Sequence, residues 1–168
     1  MADAYQAIVA ETPSRTTILS LMAQWALETG NGGQCNNYNP AGLKWYAGDP
    51  HDYAVYPTRE VVHGQWVTVS LAFKAYPTLE AGLEDYLKLL QGRYGAAWPA
   101  LVSGDMAAFA HALKQRGYYT APEAEYAAGL QARFAQMAKA CPDPDSTLSV
   151  DIEAAQEVLG GTDPAASS

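Results

Sequence analysis

In this chain of 168 residues, one segment departs from an otherwise helical pattern. Within "TREVVHGQWVTVSLAFKAYP", Val67, Val69, Leu71 and Phe73 alternate with Thr68, Ser70, Ala72 and Lys74. That is the period of a half-buried strand. His63-Gly64 reads as a tight turn ahead of it, so the segment predicts a single β-hairpin. The sequences on either side predict helices. One opens at Pro13 and Ser14 and stops at Gly30, with Ile18, Met22 and Trp25 on one stripe and Leu21 on its edge. Thr78 caps another, with Leu79, Leu83, Tyr86, Leu87 and Leu90 as its core stripe and Gly92 as its end. Two more span about Asp105 to Arg116 and Pro122 to Ala140. The expected class is α+β: mainly helices with one small hairpin.

Charge divides the chain. From Pro142 onward there are six acids and no Lys or Arg, which leaves 12 acids against 10 bases in the rest. Residues 1–141 therefore read as one nearly neutral domain, and residues 142–168 as an acidic tail or linker with a short helical segment. A body without a basic patch has no electrostatic attraction for nucleic acid. No apolar run approaches the ~20 residues of a membrane span, so membrane insertion is not expected. The opening "MADAYQAIVA" has neither a charged n-region nor a long apolar h-region, so no secretory signal is expected there. Cys35 and Cys141 leave two alternatives: a bridge contributing ~3–4 kcal/mol, or two free thiols. His51, His63 and His111 are scattered, and no nucleotide fingerprint occurs, so neither a metal nor another cofactor is expected.

Three features could carry chemistry. Glu28, in "LMAQWALETG", falls in the last turn of its predicted helix, on the border of the apolar stripe. The negative end of the helix dipole and desolvation both favour its protonated form, which suits a general acid. A surface charge closing a helix is the competing reading. Glu60, in "YPTREVV", is a second carboxylate at the hairpin, where an exposed glutamate is also common. Trp45, Tyr46, Trp66, Tyr76, Tyr118 and Tyr119 supply flat faces that stack on sugar rings or fill a core.

Taken in order, "LMAQWALETGNG", "NNYNPAGLKWY", "YPTREVVHGQWVTVSLAFKAYPTLEAGLEDYLKLL" and "FAHALKQRGYYTAPEAEYAAGL" resemble the bacterial glucosaminidases of glycoside hydrolase family 73. The resemblance covers roughly residues 5 to 138. It implies a lysozyme-like α+β fold that cleaves the β-1,4 bond between N-acetylglucosamine and N-acetylmuramic acid in peptidoglycan. By position it implies Glu28, in "ALETG", as the general acid, Glu60, in "TRE", as the hairpin acid, and Tyr118, in "GYYT", as the tyrosine beside them. Tyr119 replaces the family's usual small residue. "NNYNPAGLK" is longer than the family's common loop and lacks its Phe, but it places Asn36 and Asn37 as substrate contacts, with Trp45, Trp66, Tyr76 and Tyr119 as further candidates. A muramidase on the same scaffold and a non-catalytic wall-binding module are the alternatives. A peptidoglycan substrate implies action in the periplasm or cell wall, reached without a signal peptide. A phage lysin, or an antibacterial toxin whose producer carries an immunity protein, fits that route.

Overall fold

A computed structural model describes residues 1–142 except 34, 63 and 64, and the side chains of 59–62 and 66 lie outside the description. The acidic tail also falls outside the described residues. Six α-helices and one two-stranded antiparallel sheet follow in order: α1 (Ala2–Val9), α2 (Arg15–Thr29), β1 (Asp52–Val62), β2 (Gln65–Ala75), α3 (Leu79–Gln91), α4 (Trp98–Ser103), α5 (Met106–Gln115) and α6 (Glu123–Ala140). This is the expected lysozyme-like α+β architecture. No described helix is long and apolar enough to cross a membrane.

Helix α2 is the centre of the body. Ser14 starts it by accepting from Thr17 N at 3.0 Å, and Gly30 closes it in the left-handed region at φ 57°. Leu19, Leu21, Ala23, Gln24, Ala26 and Thr29 are all buried, so the helix is enclosed on most of its circumference. The expected stripe of Ile18, Met22 and Trp25 is only half-buried, and Leu21 on its edge is the fully enclosed residue. A helix with neighbours on several sides has no single apolar face to read. Those neighbours are α6 and α4. Around them Leu83, Tyr86, Leu87, Leu90, Leu101, Phe109, Leu113 and Leu130 form one contiguous core.

Helices α3, α5 and α6 follow their predicted signals closely. Thr78 caps α3 through Ala81 N at 3.2 Å, and Asp105 caps α5 through Ala108 N at 3.0 Å. Leu79, expected in the α3 stripe, instead lies exposed in the first turn. Helices α1 and α4 were not anticipated: Ala4 and Tyr5 of α1 are buried, and Tyr5 stacks on Trp98 of α4 at 5.8 Å between ring centroids. Cys35 is half-buried and Cys141 exposed, and both are free thiols. Of the two alternatives for the cysteines, the structure has the unbridged one.

The hairpin pairs Asp52 with Ala75 through to Val62 with Gln65, so β1 begins upstream of the segment the sequence suggested. The turn itself lies outside the described residues. The body holds the hairpin through residues 36–45. Tyr76 N donates to Asn37 O at 3.0 Å, Lys74 N to Leu43 O at 2.9 Å, and Trp45 N to Ala72 O at 2.9 Å. Buried Asn39 completes the staple: its Oδ1 accepts from Leu43 N at 2.8 Å, and its Nδ2 donates to Leu43 O and Lys74 O at 3.0 Å each. Helix α3 presses on the same loop through Gly82, where an added Cβ would stand 2.0 Å from Tyr38 O. Gly82→Ala must displace the loop, and is expected to cost about 1–3 kcal/mol, measured as a lowered midpoint in urea unfolding.

Candidate active site

Glu28 sits in the last turn of α2, where the enclosed helix meets a groove. Among the described residues its carboxyl lies deeper than those of Asp49 and Asp85. Burial raises its pKa above the ordinary value, and a hydrogen bond from Tyr126 partly opposes that rise. Tyr126 Oη, on α6, donates to Glu28 Oε1 at 2.6 Å. No cation pairs with Glu28 among the described residues. The proton is therefore held by desolvation, and the orientation of the carboxyl by Tyr126.

Tyrosines close the floor around this acid. Tyr119 stacks flat on Tyr126, with centroids 3.7 Å apart and planes at 12°, and its hydroxyl donates to Ala110 O at 3.0 Å. Tyr118 stands edge-on to Tyr94 at 5.0 Å. The hydroxyls of Tyr118 and Tyr86, and the amide of Gln24 one helical turn before Glu28, are buried, with Tyr118 beside Tyr86 and Gln24 beside Tyr126 outside good hydrogen-bond geometry. Burial holds both phenols far above their usual pKa, and the nearby Glu28 charge adds to this. They face Glu28 as neutral dipoles.

Two cavities meet at Glu28 and Gly42. One, of about 260 Å³, runs between the 36–42 loop and the hairpin, lined by Asn36, Asn39, Tyr56, Pro57, Thr58 and Phe73. Apart from Glu28, its lining carries no charged side chain among the described residues. The other, of about 740 Å³, runs along α3 past Tyr94 and Tyr118. Its wall carries a polar network: Lys74 Nζ lies 2.9 Å from both Asp49 Oδ2 and Asp85 Oδ2, and Tyr76 Oη donates to Asp85 Oδ2 at 2.6 Å. Burial alone would raise the Asp49 pKa, but hydrogen bonds from Lys74 and His51 outweigh it and hold the carboxyl down at about 2. With both carboxylates engaged by one ammonium, this wall is a rigid ionic strut.

The groove brings together Glu28, Tyr118, Asn36 and Tyr46 from the sequence candidates. Asn37 lies behind the wall, with left-handed φ of 50°, its amide donating to the Tyr56 hydroxyl. Trp45 Nε1 donates to His51 O at 2.9 Å and its ring packs on Tyr53, so it shapes the base of the hairpin. Tyr76 is spent on Asp85, and Tyr119 on bracing Tyr126. Glu60 lies in β1 opposite Val67, two positions beyond Thr58, and its side chain and that of Trp66 are outside the description.

Sequence reasoning missed Tyr126, Asn39 and the Asp49–Lys74–Asp85 strut. Tyr126 sits at a helical core spacing and so read as packing. Asn39 was visible in "NNYNP" beside the two asparagines that drew attention. Nothing in the linear order links Asp49 to Asp85.

Residues 4–139 match the glucosaminidase family, described as mannosyl-glycoprotein endo-β-N-acetylglucosaminidase. Similar solved structures include a peptidoglycan hydrolase mutant from Sphingomonas sp. A1, with 28% identity, TM-score 0.60, and 79% of this chain and 90% of that one covered. The catalytic domain of the autolysin Auto from Listeria monocytogenes has 26% identity and TM-score 0.54, covering 80% of this chain and 91% of that one. A C-terminally truncated glycoside hydrolase domain of FlgJ from Salmonella typhimurium has 26% identity and TM-score 0.51, covering 83% and 98%. No curated protein sequence matches. Matched over most of its length, and built around a half-buried acid at the floor of a groove, the chain belongs to the glucosaminidases of glycoside hydrolase family 73 and is a glycoside hydrolase.

Proposed function

We propose that this protein is a peptidoglycan hydrolase of the endo-β-N-acetylglucosaminidase type, cleaving between N-acetylglucosamine and N-acetylmuramic acid. The observation that carries this reading is Glu28: a carboxyl with a raised pKa, oriented by Tyr126, at the meeting point of two groove arms. The peptidoglycan hydrolases among its structural relatives support the substrate. Glu28 donates its proton to the glycosidic oxygen as the bond to the anomeric carbon breaks, and the departing sugar leaves as an alcohol. The electron-poor anomeric carbon then takes a hydroxyl from water. Glu60, on the hairpin beyond the neutral arm, is the proposed partner. It either takes the proton of the attacking water or steadies the oxazolinium formed when the sugar's own 2-acetamido oxygen attacks first. Tyr118 lines the larger arm, and its buried neutral hydroxyl beside Glu28 is proposed to orient the carboxyl.

Such an enzyme works in the periplasm or cell wall. The proposed setting is wall lysis, by a phage lysin or by a toxin delivered into a competitor. A toxin requires its producer to make an immunity protein that plugs the groove. Digestion of purified cell wall followed by mass spectrometry tests the bond: reducing-end N-acetylglucosamine is expected, and reducing-end muramic acid identifies a muramidase instead.

Glu28→Gln is expected to lower turnover by at least about 10²-fold, the lower end for loss of a general acid. Its effect on stability runs the other way. A carboxyl whose folded pKa is raised gives a native state that binds more protons than the unfolded chain. Stability then falls as pH rises from the ordinary glutamate value through the folded one. Glu28→Gln removes this slope, so thermal melting should show the variant gaining on the parent as pH rises through that window.

Tyr126→Phe removes the one interaction that lowers the Glu28 pKa. The alkaline limb of the pH–rate profile is expected to move to higher pH, with kcat reduced roughly tenfold for the loss of a charge-assisted hydrogen bond. An unmoved limb would show that Tyr126 serves packing alone.

A further inference from the structure

The two arms of the groove differ in charge, and the difference has a direction relative to Glu28. The neutral arm offers amides, Tyr56 and Phe73. The larger arm holds Lys44, Lys74, Lys88 and Arg93, four of the ten basic residues in the whole chain. Its acids besides Glu28 are Asp49 and Asp85, and both are bound to Lys74. With Glu28 protonated, this wall has a net positive charge on a body that is slightly negative.

Two of its cations are available to a ligand. Arg93 makes no ion pair among the described residues, and its guanidinium is steadied 5.4 Å from the centre of the Tyr94 ring. Tyr94 in turn packs edge-on against Tyr118, so Arg93 is tied to the acid's surroundings through two rings. Lys88 is exposed and has only a loose pairing with Glu84 at 3.9 Å.

Resting on the glucosaminidase reading above, we propose that this arm receives the muramic acid side of the scissile bond, and that Arg93 and Lys88 bind carboxylates of the acidic stem peptide carried on its lactyl group. The glycan strand alternates a neutral sugar with a sugar bearing an anionic peptide. An enzyme that cuts after the neutral sugar places that sugar on one side of its acid and the peptide-bearing sugar on the other. The groove has the same division: an uncharged arm and a cationic arm meeting at Glu28. Guanidinium and ammonium groups reward the several carboxylates of the peptide more than the single lactyl carboxylate that a stripped muramic acid keeps. Peptide-bearing strands are thereby preferred over stripped ones, and the direction of the strand in the groove is fixed.

The test separates binding from cleavage. Calorimetry on Glu28→Gln measures affinity for a disaccharide of N-acetylglucosamine and N-acetylmuramic acid, with and without its stem peptide. The peptide is expected to strengthen binding at least about tenfold at low salt. Raised ionic strength, or Arg93→Gln with Lys88→Gln, should remove that gain. Equal affinities, a gain that persists in the substituted protein, or no binding of the peptide-bearing disaccharide each overturn the proposal. In parallel, the otherwise unsubstituted enzyme is given wall glycan before and after amidase stripping. Cleavage of intact glycan should be faster, and the ratio of the two rates should fall toward one in the Arg93/Lys88 double variant. The identity of the new reducing end tests the bond assignment independently. Release of muramic acid ends would overturn the glucosaminidase reading whatever the affinities show.

Discussion

The carboxyl of Glu28 is partly desolvated because the helix that carries it is enclosed on nearly every side. Leu19, Leu21, Ala23 and Ala26 of α2 are buried to within a few per cent. An internal helix of this kind can only end at the edge of the core, and α2 ends on its acid. The surrounding helices then supply the acid's neighbours: Tyr86 from α3, Tyr118 after α5, and Tyr126 from α6. The hydrogen bond from Tyr126 joins residues 98 positions apart in the chain. It forms only once α2 and α6 have packed, so the geometry of the acid is a product of the finished fold.

The second wall of the groove depends on a short segment with little regular structure of its own. Residues 36–45 are fixed by the side chain of Asn39, by β2 and by the close approach of Gly82, and they carry the hairpin with them. Three of the hydrogen bonds that Asn39 can make are used, which turns a loop into a rigid corner. The Asp49–Lys74–Asp85 strut joins that corner to α3. Asp49, held at about 2, contributes stability that is present above the ordinary aspartate value and lost as pH falls through its folded value. The groove is therefore braced by ionic contacts that persist across the neutral range, on the side where a charged substrate would lie.

How much of this could be read in the sequence depended on how local each signal was. The caps at Ser14, Thr78 and Asp105, and the glycine stop at Gly30, act within one turn, and each falls where the sequence put it. The alternation from Val67 to Phe73 likewise marked β2. Burial in α2 was harder, because an apolar stripe presumes one covered face, and this helix is covered on several. Leu79 failed for the opposite reason: it sits in the first turn of α3, ahead of the point where that helix meets the core. Within the site, Glu28 was legible from its place at a helix end bordering apolar residues. Tyr126 was not, since the spacing that puts it on a core face also hides its hydroxyl. Trp45, Tyr76 and Tyr119 carry the right chemistry for sugar contacts, yet hydrogen bonds and ring packing commit them to structural roles that no linear pattern separates from binding.

The same polar cluster bears on whether this region was shaped for stability. Gln24, Tyr86 and Tyr118 bury polar groups that reach at most one another and Tyr126, and none in good hydrogen-bond geometry. Each such group typically costs about 1–3 kcal/mol relative to a satisfied one. Leucine or phenylalanine at those positions would fill similar space without that cost. Glu28 adds a further penalty, because above its folded pKa the native state must hold a desolvated charge. Four such groups meeting at one end of α2 are therefore not explained by packing. They suit the role proposed for Glu28, an acid that keeps its proton among neutral dipoles, with the enclosed length of α2 offsetting the cost of its polar end.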